Sequence, residues 1–230
     1  MTSYPTRTIA FVCELFHPPQ PPATEVVQRL HNQHFEAGDP AYSSFAVTPH
    51  GPVLANPPAR QGAASQCAFL PDRMQFREEL GALTAEEFGA RVRRVAGDAA
   101  RERGLEAFLG QQVTIRSLVN PRRFESAVEY MRDGLLGFGD MVEVFEAEAR
   151  ILGLRLVFPP EEGRPIAHAI RVENYAQDPR SLYLENQATA GPVRVADQLE
   201  QIETNVAQAY RFLVERTTAF VQAFDLRLEE

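Results

Sequence analysis

His31 and His34 stand three residues apart in Thr24–Ala37, where Val27, Leu30, His34 and Phe35 repeat at helical spacing. That spacing puts both imidazoles on one face of a helix. With Glu25 or Glu36 they would offer the nitrogen and oxygen donors that a divalent metal takes. The H-E-x-x-H pattern is absent and no third ligand is fixed by spacing, so no metal and no other cofactor is expected. His168 lies in an alternating run, Arg164–Glu173, with Ile166 and Ile170 on its own face. An imidazole there is a hydrogen-bonded core group, or the polar anchor of a ligand site if that face lines a cavity. His168, Arg116 and Glu173 are the candidate ligand-binding residues, with Arg116 expected to pair with a carboxylate such as Glu173 or Glu185. Arg91, Arg94 and Arg101 share a sector of a second helix and form a candidate phosphate-binding set, diluted by Asp98, Glu102 and Glu106.

Other chemistries lack their residues. All 23 basic side chains are Arg, which removes Schiff-base, lysine-base and P-loop-lysine chemistry. Gly134-Leu-Leu-Gly137-Phe-Gly139 does not match the dinucleotide fingerprint, and no G-x-S-x-G occurs. No catalytic residue can be nominated.

The chain has 230 residues, 44% of them hydrophobic and 23% charged, with a formal net charge of −8. This composition buries a sizeable core in one large domain or two small ones. The acidic balance argues against nucleic-acid and anionic-membrane binding. Two cysteines, Cys13 and Cys67, make no disulfide framework and suit a reducing cytoplasm, the expected location. Cys13 sits in an apolar run and reads as a buried structural thiol. No targeting segment is visible, and no apolar run approaches the ~18 residues of a membrane span.

The elements that must position these groups follow from periodicity and punctuation. Thr8–Phe16 alternates as a strand and is stopped by Pro18 and Pro19. The helix Thr24–Ala37 follows, with Thr24 as its cap. Ser44–Thr48, Val53–Asn56, Gln66–Leu70 and Met74–Arg77 are strands, and Pro57–Ser65 is a mobile loop. Thr84 and Glu87 spell a capping box for a helix ending at Gly104. Val113–Val119 opens a second unit, with Asn120 and Pro121 starting a helix. A further helix is expected over Asp140–Leu152, with Met141, Phe145 and Leu152 inside and Glu143, Glu146 and Glu148 on its wet face. Strands at Leu154–Phe158, Arg164–Glu173 and Ser181–Asn186 come next. A final helix over Arg194–Asp225 carries Val195, Leu199, Ile202, Val206, Ala209 and Leu213; its stripe slips by one residue before Thr217, Phe220 and Phe224. Such a stripe can cover a sheet or form a seam between subunits, so a homodimer through this helix is open.

Met74–Arg77 after Pro71-Asp72-Arg73, the capped helix with Phe88, Val113-Thr-Ile-Arg-Ser-Leu-Val-Asn-Pro121, and Ser181-Leu-Tyr-Leu-Glu185 before the last helix, with Thr217-Thr218 near its end, form an ordered series. In order and spacing they resemble a sporadically distributed bacterial family of roughly 250-residue uncharacterised proteins, in which an arginine-bearing strand follows the middle helix; the resemblance implies fold layout and no activity. Ser117 departs from it, standing where that family tends to have an aromatic residue.

The expected fold is α+β: two similar units of strand–helix–strands–helix, residues 1–110 and 111–230, as an internal duplication or one merged domain, with antiparallel sheets curved against long helices. The expected function is non-enzymatic binding, of a protein partner or of a small apolar ligand held between sheet and helix. A hydrolase or metal-dependent enzyme with a dispersed site is the alternative, and nucleic-acid binding through the Arg91 helix a third reading. The seam between the halves, near Thr114–Leu118, is the natural place for a cleft.

Overall fold

The computed structural model describes residues 4–147 and 149–226. The fold is α+β, with one nine-stranded sheet in which every neighbouring pair is antiparallel. In chain order, β1 (Arg7–Phe16) leads to α1 (Thr24–Glu36), then β2 (Ser44–Thr48), β3 (Gly51–Asn56), β4 (Ala64–Phe69) and β5 (Arg73–Glu79). Helix α2 (Ala85–Glu102) and a short β6 (Ala107–Phe108) precede β7 (Gly110–Val119). A brief α3 (Ala127–Glu129) widens into a π-helical stretch at Tyr130–Leu135 and is followed by a 3-10 segment at Gly139–Phe145. Strands β8 (Gly153–Phe158), β9 (Ala167–Asn174), β10 (Leu182–Ala190) and β11 (Val193–Arg194) come next. The chain then runs through α4 (Glu200–Arg211), a π-helical segment at Phe212–Thr217 and α5 (Thr218–Leu226).

The sheet order is β2-β3-β4-β5-β1-β7-β10-β9-β8, and β6 pairs with β11 apart from it. Each half places its first strand at the centre and its last long strand beside it, then works outward to an edge. The two expected units therefore meet where β1 pairs with β7, Cys13 opposite Val113. One buried cluster runs through both, from Phe76 and Phe88 in the first half to Ile170, Leu184 and Leu213 in the second.

Strand alternation decides the two faces of the sheet. Phe11, Cys13 and Leu15 point into the core, while Val12 and Glu14 point the other way and stay half exposed. Helices cover the apolar side. On α2, Phe88, Val92, Val95 and Ala99 form the buried stripe, and Thr84 and Glu87 make the expected reciprocal cap. Gly89 lets α4 close on α2, because a Cβ there would lie 3.4 Å from Glu203 Cα, and Gly97 makes room for the Leu199 side chain.

The last helix uses its stripe within its own chain: Ile202, Val206, Ala209, Leu213 and Val221 are fully buried. The stripe that offered an intersubunit seam is thus the one that packs on the sheet and on α2. The one-residue slip in that stripe is the π-helical segment, where an extra residue per turn returns Thr217 and Val221 to the buried side. Thr217 and Thr218 donate their hydroxyls back to Phe212 and Leu213 carbonyls, five residues earlier.

Four sequence-based expectations are corrected. Thr24 is not a cap; Ala23 holds that position with no side-chain bond. The final helix starts at Glu200 rather than Arg194, since β11 and a turn held by Arg194 and Asp197 occupy the intervening residues. Pro121 opens no helix, because buried Asp225 accepts the N–H groups of Arg122 and Arg123 at 2.9 and 3.2 Å, and the chain runs through bends as far as Ser126. No helix spans Asp140–Leu152: Gly137 and Gly139 take positive φ, and the 3-10 segment stops at Glu146, also at positive φ. Glu148, expected on that helix, lies outside the described residues.

Candidate functional site

The uncovered face of the sheet is built by register. One cross-strand row reads Glu79, Ala10, Arg116, Glu185, Arg171 and Arg155 over β5, β1, β7, β10, β9 and β8. The next reads Arg77, Val12, Thr114, Gln187 and Ala169, and the one beyond it Gln75, Glu14, Gln112 and Thr189. The middle row is short and neutral except at Arg77, while long polar side chains flank it. The result is a hollow of about 340 Å³ across the β1–β7 seam, floored by Val12 and Thr114 and lined by Glu14, Arg77, Arg116 and Glu185.

Directly opposed charges interlock along the first row. Arg116 Nε donates to Glu185 at 2.9 Å, and its Nη1 lies 3.6 Å from Glu79. Tyr183 donates its hydroxyl to Glu185 at 2.6 Å, and Arg171 sits over the Tyr183 ring. Burial works to raise the Glu185 carboxyl, but the Tyr183 and Arg116 bonds hold it below the usual carboxylate range. Burial and the same bond push the Tyr183 phenol up to about 12. Glu14 forms a second knot, accepting from Gln75 and Gln112 and pairing with Arg73 at 3.0 Å.

Of the sequence candidates, Arg116 and Glu173 share this face. Glu173 lies 3.7 Å from Arg171, and Arg116 takes Glu185 as its carboxylate. His168 is on the opposite face, against the helices. Its Nδ1 lies 3.1–3.2 Å from the Asn186 amide and its ring stacks on Phe212 at 3.9 Å. The three do not form one site, because Glu173 and His168 are an odd number of residues apart on one strand. The layers between which a ligand was expected are filled by each other's side chains, Phe11 stacking on Phe88 at 5.4 Å.

The phosphate candidates come together with a residue that sector reading missed. Arg91, Arg93, Arg94 and Arg101 line a groove of about 540 Å³ with Asp39, Pro40, Ala41, Ala90, Gly97, Asp98 and Leu199. His34 turns to Asp98 at 2.9 Å rather than toward His31. Among the described residues no group of three or more His, Cys, Asp or Glu is placed to hold a metal ion. Cys13 and Cys67 are free and fully buried, and burial pushes the Cys13 thiol up to about 12.

A third surface was not foreseen. Of ten large apolar side chains exposed among the described residues, seven fall within residues 138–158: Phe138, Met141, Val144, Phe145, Ile151, Val157 and Phe158. Met141 and Phe145, expected inside a helix, are 68% and 75% exposed. The segment ends in β8, an edge strand of the sheet.

Among the described residues no helix is long and apolar enough to cross a membrane. No family model matches the chain, and no curated protein is significantly similar to it.

Proposed function

We propose that this is a non-enzymatic interaction protein and that its partner is another protein, bound on the 138–158 flank. The observation that carries the reading is the concentration of exposed apolar side chains in that one segment. Scattered surface hydrophobics are ordinary, whereas a concentration of them in one segment favours an interaction site. The adjacent β8 edge adds backbone groups with no neighbouring strand.

Charge selects the kind of partner. Asp140, Glu143 and Glu146 are interspersed with Met141, Val144 and Phe145, in a chain of net charge −8. A second copy would set carboxylates against carboxylates, which is unfavourable. A basic amphipathic helix meets both the apolar and the acidic side chains. Arg116 is engaged by Glu185 and Glu79, and Glu173 by Arg171, which supports a structural reading of both. The layout of the sheet, first strands central in both halves, also favours the internal duplication.

The test is titration of a Leu/Lys amphipathic helical peptide followed by fluorescence anisotropy, with sedimentation velocity alongside. Binding that disappears in the Val144→Asp/Phe145→Asp double variant supports the assignment. A stable dimer dissociated by the same double variant would replace the foreign partner with a second copy, and an unaffected peptide affinity would sink the flank as the site.

A further inference from the structure

The arginine groove on α2 answers to a different ligand and stands independently of the apolar flank. Its floor is short where α2 is short: Ala90 and Gly97 fall on the same helix face as Arg94 and Arg101, one to two turns apart. Ala90 leaves space, Leu199 packs over Gly97, and the long guanidiniums stand around the groove. Pro40, Ala41 and Leu199, which just precedes α4, complete the lining with apolar groups.

Four guanidiniums against two carboxylates make the lining positive in a protein whose net charge is −8. Three of them are paired near the surface. Arg94 donates to the Asp39 carboxylate at 2.6 Å and to the Asp39 backbone carbonyl at 2.7 Å, with the Asp39 side chain 80% exposed. Arg101 pairs with Asp98, and Arg93 with Glu203 at 3.1 Å, the two arginines 62% and 41% exposed. Ion pairs near the surface contribute little to stability and yield to a more highly charged anion. Arg91 differs: it lies against the Tyr42 ring, donates to Ser65 and faces buried Glu78 at 3.6 Å, so it belongs to the wall.

A single phosphate would meet one or two guanidiniums. A di- or triphosphate reaches three, each offering the planar fork that matches phosphate oxygens. The volume of about 540 Å³ exceeds what a bare phosphate fills and lies within the range of small-molecule sites. We propose that this groove binds a small molecule bearing a di- or triphosphate group, held by Arg93, Arg94 and Arg101, with any organic portion against Pro40, Ala41 and Leu199.

Isothermal titration of the full chain at low ionic strength, with phosphate, pyrophosphate and ADP as probes, tests this. Pyrophosphate is expected to bind at least about tenfold more tightly than phosphate, since it engages additional charge-assisted bonds. Arg94→Gln with Arg101→Gln should weaken pyrophosphate at least about tenfold, while Asp39→Asn, which removes a competing carboxylate, should strengthen it. ADP binding tighter than pyrophosphate assigns the organic portion to the apolar wall; equal affinities assign recognition to the diphosphate alone. Absence of binding by both pyrophosphate and ADP, or affinities untouched by the double arginine variant while circular dichroism shows it folded, overturns the proposal.

Discussion

The imidazole of His168 lies flat on the ring of Phe212, with 3.9 Å between centroids and 11° between planes. It brings β9 under the π-helical segment of the last helix, and Phe158 meets the same Phe212 ring from edge strand β8. Burial lowers the His168 pKa below its ordinary 6.5, and the Asn186 bond offsets this only in part. His17 is lowered for the same first reason, burial, with Arg103 adding to it. Both groups bind protons less readily folded than unfolded, so stability falls as pH drops through about 6.5 toward their folded values. Chemical denaturation between pH 8 and pH 5 should show this loss, and His168→Asn should flatten it. A pH-independent wild type would contradict the assignment.

Asp225 fastens the end of the last helix to the start of the α3 region. Its carboxylate is fully buried and accepts two backbone N–H groups, and nearby Tyr130 donates its hydroxyl to the Val221 carbonyl at 2.7 Å. Bonds to a charged acceptor are worth about 1.5–3 kcal/mol each, so Asp225→Ala should destabilise the fold by about 3 kcal/mol in urea titrations. Asp225→Asn keeps an acceptor oxygen and should cost less. A neutral Asp225→Ala would show that the 122–126 segment is held by other contacts.

Close approach of α2 and α4 depends chiefly on Gly89. A Cβ on Gly89 would sit 3.4 Å from Glu203 Cα, backbone that cannot swing aside, and a Cβ on Gly97 would meet only the tip of Leu199. Gly97→Ala is therefore expected to be near neutral, with gained helix propensity offsetting the shift in Leu199. Gly89→Leu should cost about 1–3 kcal/mol by overpacking. Thermal melts of the two variants would rank them, and the reverse order would refute this account of the crossing.

The ion-pair row on the open face predicts acid sensitivity of its own. The Glu185 carboxyl is held below its ordinary 4.5, so the stability it contributes is present above that pH and is lost as pH falls through the folded value. Glu185→Gln should remove that component while leaving stability near neutrality lower by about 1 kcal/mol, for a half-buried pair. Acid-denaturation midpoints of the two proteins measure the difference.

Residues on the flank should matter little to the fold. Val144 and Phe145 are 78% and 75% exposed, so replacing both by Asp should change stability by no more than about 0.5 kcal/mol. Stability loss beyond that would mean that the flank packs against the body of the protein.

Local signals carried most of the elements. Alternation in β1 and β9 and the Thr84–Glu87 cap were legible because each depends on residues close in sequence. Even the slip before Thr217 was visible, and the fold turns it into a π-helical segment. The side-chain alternation of β9 already separated His168 from Glu173, as face is a matter of parity along one strand.

What the sequence by itself determined is the α+β class, most of the long strands and helices, and the face each strand residue takes, since backbone periodicity is local. Only the tertiary structure decided which strands are neighbours, and so which charges meet. The opposition of Arg116 and Glu185 comes from register between residues 69 positions apart. The capture of Arg122 and Arg123 by Asp225 is likewise a long-range bond that overrode a local helix start. Exposure of Met141 and Phe145 was equally invisible beforehand, because an apolar residue is written the same way whether the fold covers it or leaves it in water.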